Sequence, residues 1–376
     1  KARELAELGA VYDSGALSNR NIIINGGMTV AQRGTSSASA AGDTFLLDRI
    51  RYEKSGVSTV VTMSQADDGP TGISNKSLKF QITTAGAGTP GAGHFHQFIY
   101  KGEGNTIDHI GLGTSDCKPM TFSFYAKAST TGTLPFSIHN DTGIVVYSST
   151  YDIATANTWQ RYTYKLPAVT TGTWLTGTNQ GFAIRFGLEY GSDFTGGTPD
   201  QWRTLASGFT GSGGFQSAYT NTLGSTLNAT LNITGIQLEM GTEATPFECK
   251  SYAQELDACS RYYSREDAGS GAAYKRYGVG SWNSATHFEC SVPLSTPIRT
   301  TPTLETTGTA SNYAIYSANA IDAVTSLALI NDSDAGTYNR MVGIIMTVSS
   351  GGVSGEGGTL LANNDDDNFL ALDAEF

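Results

Sequence analysis

The sequence predicts an all-β protein of two domains, and three observations lead to that prediction. The chain has 376 residues, enough for two domains that each bury a core of their own. It contains 45 Gly, 18 Tyr and 16 Phe, and stretches of alternating apolar and polar residues are separated by turns. Because 39% of the residues are hydrophobic and 15% are charged, the composition is that of a packed protein.

The first predicted element is a short N-terminal helix, within a stub and linker assigned to residues 1–20. A helix this short is only marginally stable alone, so we expect its apolar face to pack against other copies in a homotrimer. The alternative is a terminal helix folded back on its own domain. The apolar face consists of Ala2, Leu5, Ala6 and Leu8.

Residues 21–249 are predicted to form a jelly-roll-like β-sandwich that begins with a strand at Asn21. Turn clusters separate the strands at roughly regular spacing, and no internal repeat indicates a β-helix or propeller. Two sheets packed face to face therefore fit best. The clearest predicted strands are Ser77–Thr84, His94–Lys101, Thr121–Ala128, Leu134–Asn140, Trp159–Leu166, Phe182–Glu189 and Leu227–Ile233.

A change of period marks the junction between the domains. Residues 236–240 alternate in polarity, as in a strand with one buried face. Ser251 and Gln254 then form a capping box, which predicts a short linker helix over residues 250–265. The helical stripe consists of Tyr252, Leu256, Cys259 and Tyr263.

Residues 266–376 are predicted to form a second β-sandwich, so the fold class is two β-sandwich domains joined by a short α-helix. The composition there stays typical of β-structure but becomes richer in glycine. Its predicted strands are Ala273–Trp282, His287–Val292, Asn312–Ser317, Ser326–Asn331, Arg340–Ser349 and Phe369–Glu375.

The junction reads GIQLEMGTEATPFECKSYAQELDACSRYYSR. It resembles the tail-fibre and receptor-binding proteins of tailed bacteriophages, in which a jelly-roll module closes on a Q-L-E-x-G-x-x-A-T-P-F-E strand and continues into a helix ending in R-Y-Y. The resemblance covers about the first two-thirds of the chain. Its other segments are NIIINGGMTVAQRGTS (Asn21–Ser36), LLDRIRY (Leu46–Tyr52), TFSFYAKA (Thr121–Ala128) and NTWQRYTYKLP (Asn157–Pro167).

The resemblance implies a non-catalytic virion protein, a tail fibre or receptor-binding protein that attaches to a glycan of the host cell surface. It implies further that the N-terminus joins other tail proteins and that the C-terminal domain is the receptor-binding tip. The opening KARELAELG is charged throughout and unlike a signal peptide, so we expect synthesis in the host cytoplasm. The alternatives are an architectural virion protein, such as a head fibre, collar or adaptor, and a glycan-degrading tailspike enzyme.

Composition and motifs argue against several other functions. A formal net charge of −11 and a pI near 4.9 are unfavourable for nucleic-acid binding, and an acidic receptor would have to be held by a local site. No apolar run approaches the ~18 residues of a membrane span, so no membrane insertion is expected. The sequence contains no G-x-S-x-G, H-E-x-x-H or P-loop motif, and we predict no catalytic residues.

Aromatic side chains suggest where a glycan could bind. An exposed ring stacks on the apolar face of a pyranose, while nearby amides orient its hydroxyl groups. Such residues form two groups in the C-terminal domain, although each could instead belong to the core or to a cross-strand pair. The candidate ligand-binding residues are Tyr274, Tyr277, Trp282, Asn283, Tyr313 and Tyr316.

No cofactor is expected apart from a structural Ca²⁺. Asp365, Asp366 and Asp367 concentrate oxygen donors in one loop, with a lesser cluster at 331–334, and Ca²⁺ accepts such ligands. The alternative is a solvated turn. His94 and His96 are a weaker metal-binding candidate, since alternation in a strand would place both imidazoles on one side.

Four cysteines are present, and none forms a C-x-x-C pair that would indicate a zinc or redox motif. Cys249 and Cys259 flank the predicted start of the linker helix, so a disulfide between them is one reading. Buried free thiols are the other.

Overall fold

The computed structural model describes residues 19–37, 42–206, 214–269, 271, 273–318, 320–330 and 340–376. The chain divides into two compact units, Lys1–Glu255 and Leu256–Phe376. The regular elements of the described residues are almost all strands, with one α-helix and a few short 3₁₀ turns, which confirms the all-β prediction. The predicted apolar face of Ala2, Leu5, Ala6 and Leu8 lies outside the described residues, as does the acidic cluster at 331–334.

Thirteen strands are described in the N-terminal unit, and they form two antiparallel sheets. The six-stranded sheet has the order β1-β4-β5-β13-β7-β10, and the seven-stranded sheet has the order β12-β9-β8-β11-β6-β3-β2. In chain order the strands are β1 (Ser36–Ser37), β2 (Thr44–Phe45), β3 (Ile50–Ser55), β4 (Val60–Ala66), β5 (Ser77–Thr84), β6 (Phe95–Glu103), β7 (Met120–Ala128), β8 (Gly132–His139), β9 (Val145–Ile153), β10 (Gln160–Leu166), β11 (Gln180–Tyr190), β12 (Gln201–Thr204) and β13 (Thr230–Met240).

A single hydrophobic core lies between these two sheets. Phe98 and Phe186 of the seven-stranded sheet stack with ring centroids 4.7 Å apart. Phe80 and Phe124 reach them from the other sheet, at 5.0 Å from Phe98 and 5.0 Å from Phe186 respectively. Such pairs stabilise by roughly 0.5–1.5 kcal/mol each beyond the area they bury. The alternating pattern of the strands therefore builds the predicted sandwich.

The predicted strand at Asn21 is not formed. Residues 21–24 instead run beside β13, where Ile22 N donates to Leu238 O at 2.9 Å and Ile236 N donates to Gly26 O at 3.0 Å. Ile23 is fully buried, as strand-like alternation would require. The isoleucines therefore alternate in burial as predicted, but the backbone forms turns instead of a regular ladder of strand hydrogen bonds.

The residues that carry the sequence resemblance form one hydrogen-bonded network at the end of β13. Glu239 accepts from Gln237 Nε2 at 2.9 Å, from Thr245 N at 2.9 Å and from Thr245 Oγ1 at 2.6 Å. Gln237 Oε1 accepts from Glu248 N at 2.8 Å, and Glu248 Oε2 accepts from Asn21 N at 2.7 Å. These residues of the junction thus close the N-terminal sandwich.

The helix at the junction, α1, spans Tyr252–Ser260 and is shorter than the predicted 250–265. The capping box is confirmed, because Gln254 N donates to Ser251 Oγ at 3.3 Å and Ser251 N donates to Gln254 Oε1 at 3.0 Å. Tyr252 is 58% exposed, so it does not belong to a buried stripe. Tyr263 belongs to a strand and not to the helix.

Nine strands are described in the C-terminal unit. Six of them close into a barrel in the order β15-β16-β20-β19-β18-β21, and the other three form a sheet in the order β14-β22-β17. The strand topology of this unit therefore differs from two open sheets packed face to face. The strands are β14 (Tyr263–Asp267), β15 (Arg276–Trp282), β16 (His287–Pro293), β17 (Thr303–Thr306), β18 (Tyr313–Ser317), β19 (Ala320–Leu329), β20 (Met341–Val348), β21 (Gly357–Ala362) and β22 (Phe369–Asp373).

Glycines explain how β15 fits into a barrel. A Cβ at Gly280 would lie 1.8 Å from Glu289 O, and one at Gly278 would lie 2.6 Å from Ser291 O. The pairing of β15 with β21 also shifts register between Arg276 and Gly278. Glycines and bulges allow the close backbone approach and local bending that closure needs.

Short 3₁₀ turns complete the described elements, at Gly104–Thr106, Asp108–Ile110, Leu223–Ser225 and Ala310–Asn312. In the part of the chain that the structure describes, no helix has the length and apolarity needed to cross a membrane. The disulfide considered between Cys249 and Cys259 is not formed. Cys249 is exposed and the other three thiols are buried.

Candidate functional site

Two adjoining clefts open at one end of the N-terminal sandwich. The larger has a volume of about 310 Å³ and the smaller about 180 Å³. Loops that follow β3 and β5, together with residues 218–225 before β13, form their walls. The two clefts have four lining residues in common, Gly88, Thr89, Pro90 and Glu189, so they share a wall and one carboxylate.

Glu189 is placed there by a bulge in β11. The pairing of β11 with β6 shifts register between Gly187 and Glu189, which sets Glu189 opposite His96. A Cβ at Gly187 would lie 2.1 Å from Tyr190 Cε2, so the tight bend requires glycine at that position. The bulge thus directs a charged side chain from a largely apolar strand toward the clefts.

One oxygen of this carboxylate is held by two side chains. Glu189 Oε2 lies 3.1 Å from His96 Nδ1 and accepts from Thr59 Oγ1 at 2.6 Å. Behind it, His96 Nε2 lies 2.8 Å from Tyr52 Oη. Tyr52, His96 and Glu189 therefore form a line of hydrogen bonds that runs from the core to the cleft wall.

Burial determines the charges in this line. It lowers the pKa of His96, although the bond to Glu189 partly opposes that effect. Burial also raises the pKa of the Tyr52 hydroxyl, and the Glu189 carboxylate adds to the increase. A neutral His96 accepts from Tyr52 at Nε2 and donates from Nδ1 to Glu189 Oε2.

The second oxygen, Oε1, lies against two glycines, since a Cβ at Gly224 would be 2.3 Å from it and one at Gly86 would be 3.2 Å from it. Among the residues that the structure describes, none donates a hydrogen bond to it, although Glu189 is only 6% exposed. Gly224 packs against the same side chain, because a Cβ there would lie 2.0 Å from Glu189 Cδ. Glycine at position 224 therefore leaves room for this carboxylate, which a larger residue would displace.

The rest of the lining is rich in hydroxyl groups. Tyr219 Oη accepts from Tyr190 N at 2.9 Å and donates to Tyr190 O at 3.2 Å, which fixes its ring at the wall of the larger cleft. The other lining residues with hydroxyl or amide groups in the larger cleft are Thr89, Thr195, Thr220, Asn221, Thr222 and Ser225. This lining supplies short polar groups and a ring face in one small volume.

Three of the ligand-binding residues predicted from sequence are in the core of the C-terminal unit. Tyr277 is 6% exposed, Trp282 1% and Tyr313 0%, so these rings offer no face to a sugar. The Tyr277 hydroxyl donates to Asn368 Oδ1 at 2.7 Å and Trp282 Nε1 donates to Ser317 Oγ at 3.1 Å. The core interpretation, which the sequence left open, holds for all three.

The other three predicted ligand-binding residues remain accessible. Tyr274 is 50% exposed and Tyr316 is 36% exposed. Asn283 is exposed as well, and its Nδ2 donates to Glu289 Oε1 at 2.6 Å. For these three side chains a role in binding stays a prediction.

Two of the three carboxylates in the acidic loop have partners within the protein. Asp365 accepts from Asn312 Nδ2 at 2.6 Å and from Asp367 N at 3.1 Å, and Gly271 N lies 3.5 Å from Asp366 Oδ2. Across the described ranges, no three His, Cys, Asp or Glu side chains form a group that could hold a metal ion. Binding of Ca²⁺ by this loop stays a prediction.

The two histidines predicted to share a strand face do not form a metal pair. His94 precedes β6, and its Nδ1 accepts from Gly91 N at 3.2 Å. His96 uses both ring nitrogens within the line to Glu189. Sequence reasoning missed Glu189 itself, although a charge following the apolar run of β11 was a signal.

No protein-family model and no curated protein matches the chain. Among solved structures it is similar to the enzymatically active domain of bacteriophage CBA120 tailspike protein 4, with 13% identity and a TM-score of 0.32 over 60% of this chain and 22% of that one. It is also similar to TmCBM61 in complex with beta-1,4-galactotriose (9% identity, TM-score 0.28, 59% of this chain and 100% of that one). A third similar structure is the N-terminal cellulose-binding domain of Cellulomonas fimi beta-1,4-glucanase C, with 12% identity and a TM-score of 0.28 over 55% of this chain and 100% of that one. The chain therefore spans about a fifth of the tailspike structure, and at these identities the likenesses assign it to no family.

Proposed function

We propose that this protein is a non-catalytic adhesion protein of a tailed-phage particle and that it binds a host-surface glycan in the clefts around Glu189. The glycan-binding part rests on one observation, the lining of two adjoining clefts by hydroxyl groups, a tyrosine ring and a shared carboxylate. The phage part rests on the resemblance of the junction sequence. The proposal therefore moves the binding site from the C-terminal unit, where the sequence placed it, to the N-terminal unit.

The chemistry of the clefts suits a sugar. A volume of about 310 Å³ is at the lower end of ligand sites, which run from roughly 300 to 1,000 Å³. Sugar hydroxyl groups both donate and accept, and Thr and Ser hydroxyl groups do the same. Glu189 Oε1 accepts from a hydroxyl group in a charge-assisted bond, which is stronger than a bond between neutral groups.

The lining favours binding over hydrolysis. Glycosidases of the usual kind place two carboxyl groups on either side of the scissile bond. Glu189 is the one carboxylate among the described residues that line the two clefts. A hydrolase would need its partner within this lining, so a tailspike enzyme is the less favoured alternative.

Assembly would multiply a weak interaction. A homotrimer joined through residues 1–20, which would also contact other tail proteins of the virion, would present three copies of the clefts. Linked sites gain affinity from effective concentration, by roughly 10²- to 10⁴-fold. Small clefts with few contacts are adequate for adhesion under these conditions.

The test measures binding of the full chain to an array of purified bacterial surface polysaccharides. Thr89→Trp places a bulky ring in the wall that both clefts share, whereas Thr155→Trp makes the same change in an exposed turn that lines neither cleft. We expect Thr89→Trp to abolish binding and Thr155→Trp to leave it unchanged.

A third variant, Tyr274→Ala, removes the most exposed ring of the site predicted from sequence. Loss of binding in Tyr274→Ala with full binding in Thr89→Trp would refute the cleft site. Failure of the wild-type protein to bind any polysaccharide would favour the architectural alternative, and release of reducing sugar would favour the enzyme.

A further inference from the structure

Three basic side chains lie together on the outer face of the seven-stranded sheet, the face opposite the core. Arg51 of β3 and Arg185 of β11 each pair in register with Ile99 of β6, so they flank it on both sides. Lys101 follows two residues along β6 and therefore points to the same side of the sheet. Strand spacing and rise place the three Cα atoms within about 10 Å of one another. We name this group the cationic face.

The arginines of the cationic face have carboxylate partners. Arg185 Nη1 lies 2.8 Å from Glu53 Oε2, and Arg51 Nη2 lies 2.9 Å from Asp43 Oδ1. Lys101 differs, since no described residue forms an ion pair or a hydrogen bond with its ammonium group. The side chain is half-buried, and its nitrogen is not among the fully buried polar atoms. The face thus keeps one cation available to an external group.

The surroundings make this free cation unfavourable without a partner. Burial lowers the pKa of Lys101, and the charges of Arg51 and Arg185 lower it further, while Glu53 and Asp141 oppose the effect from a distance. An anion bound at the ammonium group would offset both the lost hydration and the repulsion.

One side of the cationic face is already covered. The Phe215 ring lies 5.6 Å from the Arg185 guanidinium and 5.2 Å from the His139 ring. Gln216 Nε2 donates to Ser137 Oγ of β8 at 2.9 Å. Residues 214–217 therefore lie over the β8 side of the face, away from Arg51 on β3.

We propose that the cationic face is a second binding site, which takes a carboxylate, sulfate or phosphate substituent of an acidic glycan, with Lys101 as its direct ligand and Arg51 beside it. The cationic face is separate from the clefts. The anion site itself does not depend on the proposed function; the identity of the ligand as a glycan does. Nucleic acid is disfavoured because it needs a row of cations, whereas this face has three in a chain with a net charge of −11. A mostly neutral polymer with spaced anionic groups fits such a local site.

The test is calorimetric titration of the full chain with a galacturonate trisaccharide, and with neutral galactotriose as its uncharged counterpart. Lys101→Gln removes the proposed ligand. Lys79→Gln is the matched control, because Lys79 is a half-buried lysine of β5 in the other sheet and its loss changes the net charge equally. Thermal unfolding of both variants shows that they fold.

We expect Lys101→Gln to weaken galacturonate binding by about 10- to 100-fold, the effect of losing a hydrogen bond to a charged group. Lys79→Gln should leave it unchanged, and Lys101→Gln should not alter any binding of galactotriose. Raising the salt concentration should weaken galacturonate binding as well.

Several results would overturn the proposal. They are equal galacturonate affinity in Lys101→Gln and wild type, an equal loss in Lys79→Gln, and no binding of galacturonate at millimolar concentration. Tighter binding of inorganic sulfate, inorganic phosphate or single-stranded DNA than of the trisaccharide would refute the glycan as ligand. If the polysaccharide array fails while galacturonate binds through Lys101, the proposed adhesion function is refuted and the anion site stands.

Discussion

Acidification should destabilise the N-terminal unit because His139 is held neutral in the folded state. The ring is fully buried, with Nδ1 2.6 Å from Asn140 O and Nε2 3.1 Å from Arg185 Nε. Since an arginine nitrogen only donates, Nε2 must accept and Nδ1 carries the proton. Burial holds the pKa of His139 well below its usual value, and the charge of Arg185 adds to the decrease.

The sign and size of the effect follow from proton linkage. Below pH ~6.5 an unfolded histidine binds a proton that folded His139 does not, so stability is lost as pH falls through that value. Between pH 7.5 and 5.5 this costs about 1.4 kcal/mol for each histidine that stays neutral when folded. His96 shifts in the same direction, so the two together cost up to about 2.7 kcal/mol.

The measurement is guanidinium unfolding at both pH values, followed by tryptophan fluorescence in a Trp282→Phe background. The three remaining tryptophans all lie in the N-terminal unit. We expect His139→Gln to lose about 1.4 kcal/mol less than wild type over this pH range. His109→Gln, at an exposed turn, serves as the control. Equal losses in wild type and His139→Gln would refute the reasoning.

Three further predictions concern stability and reactivity. Glu239→Ala removes three hydrogen bonds at the end of β13 and should cost about 3 kcal/mol or more, while Glu243→Ala at an exposed ion pair should cost less than about 1 kcal/mol. Trp282→Ala should destabilise the barrel by about 3–5 kcal/mol, whereas Tyr274→Ala should stay within about 0.5 kcal/mol in denaturant unfolding. In the folded protein, a thiol reagent should modify Cys249 alone, as mass spectrometry would show.

Three results would contradict these predictions. A cost below about 1 kcal/mol for Glu239→Ala would mean that the motif network contributes little to stability. Similar costs for Trp282→Ala and Tyr274→Ala would contradict the burial of the indole. Labelling of a second thiol without unfolding would contradict the three buried cysteines.

Several strands of the N-terminal unit could be predicted from the alternation that the sequence displays. Strand β5 was predicted with both of its ends because Leu78, Phe80 and Ile82 alternate with polar residues. Strand β9 was not among the clearest predicted strands, because its first five residues are buried on both faces and show no alternation. Its outer face is covered by long-range contacts, such as that of Val146 with Phe215, which no local pattern reveals.

The barrel and the candidate site needed information that alternation does not hold. Closure depends on β21 pairing with both β15 and β18, which are distant in sequence. Glycines at 278 and 280 alternate with Tyr277 and Val279 in β15, so its buried side shows no apolar run. Glu189 was missed because a bulge changes the register of β11 and turns its carboxylate to the clefts.

The position of β13 has a consequence for synthesis. It is the last described strand of the N-terminal unit to leave the ribosome, yet it lies between β5 and β7 in the middle of its sheet. Until then the nascent chain holds two half-sheets, each with a bare hydrogen-bonding edge that can recruit a neighbouring chain. The N-terminal unit therefore cannot finish folding until β13 has been synthesised. We expect nascent chains that stop before residue 230 to aggregate.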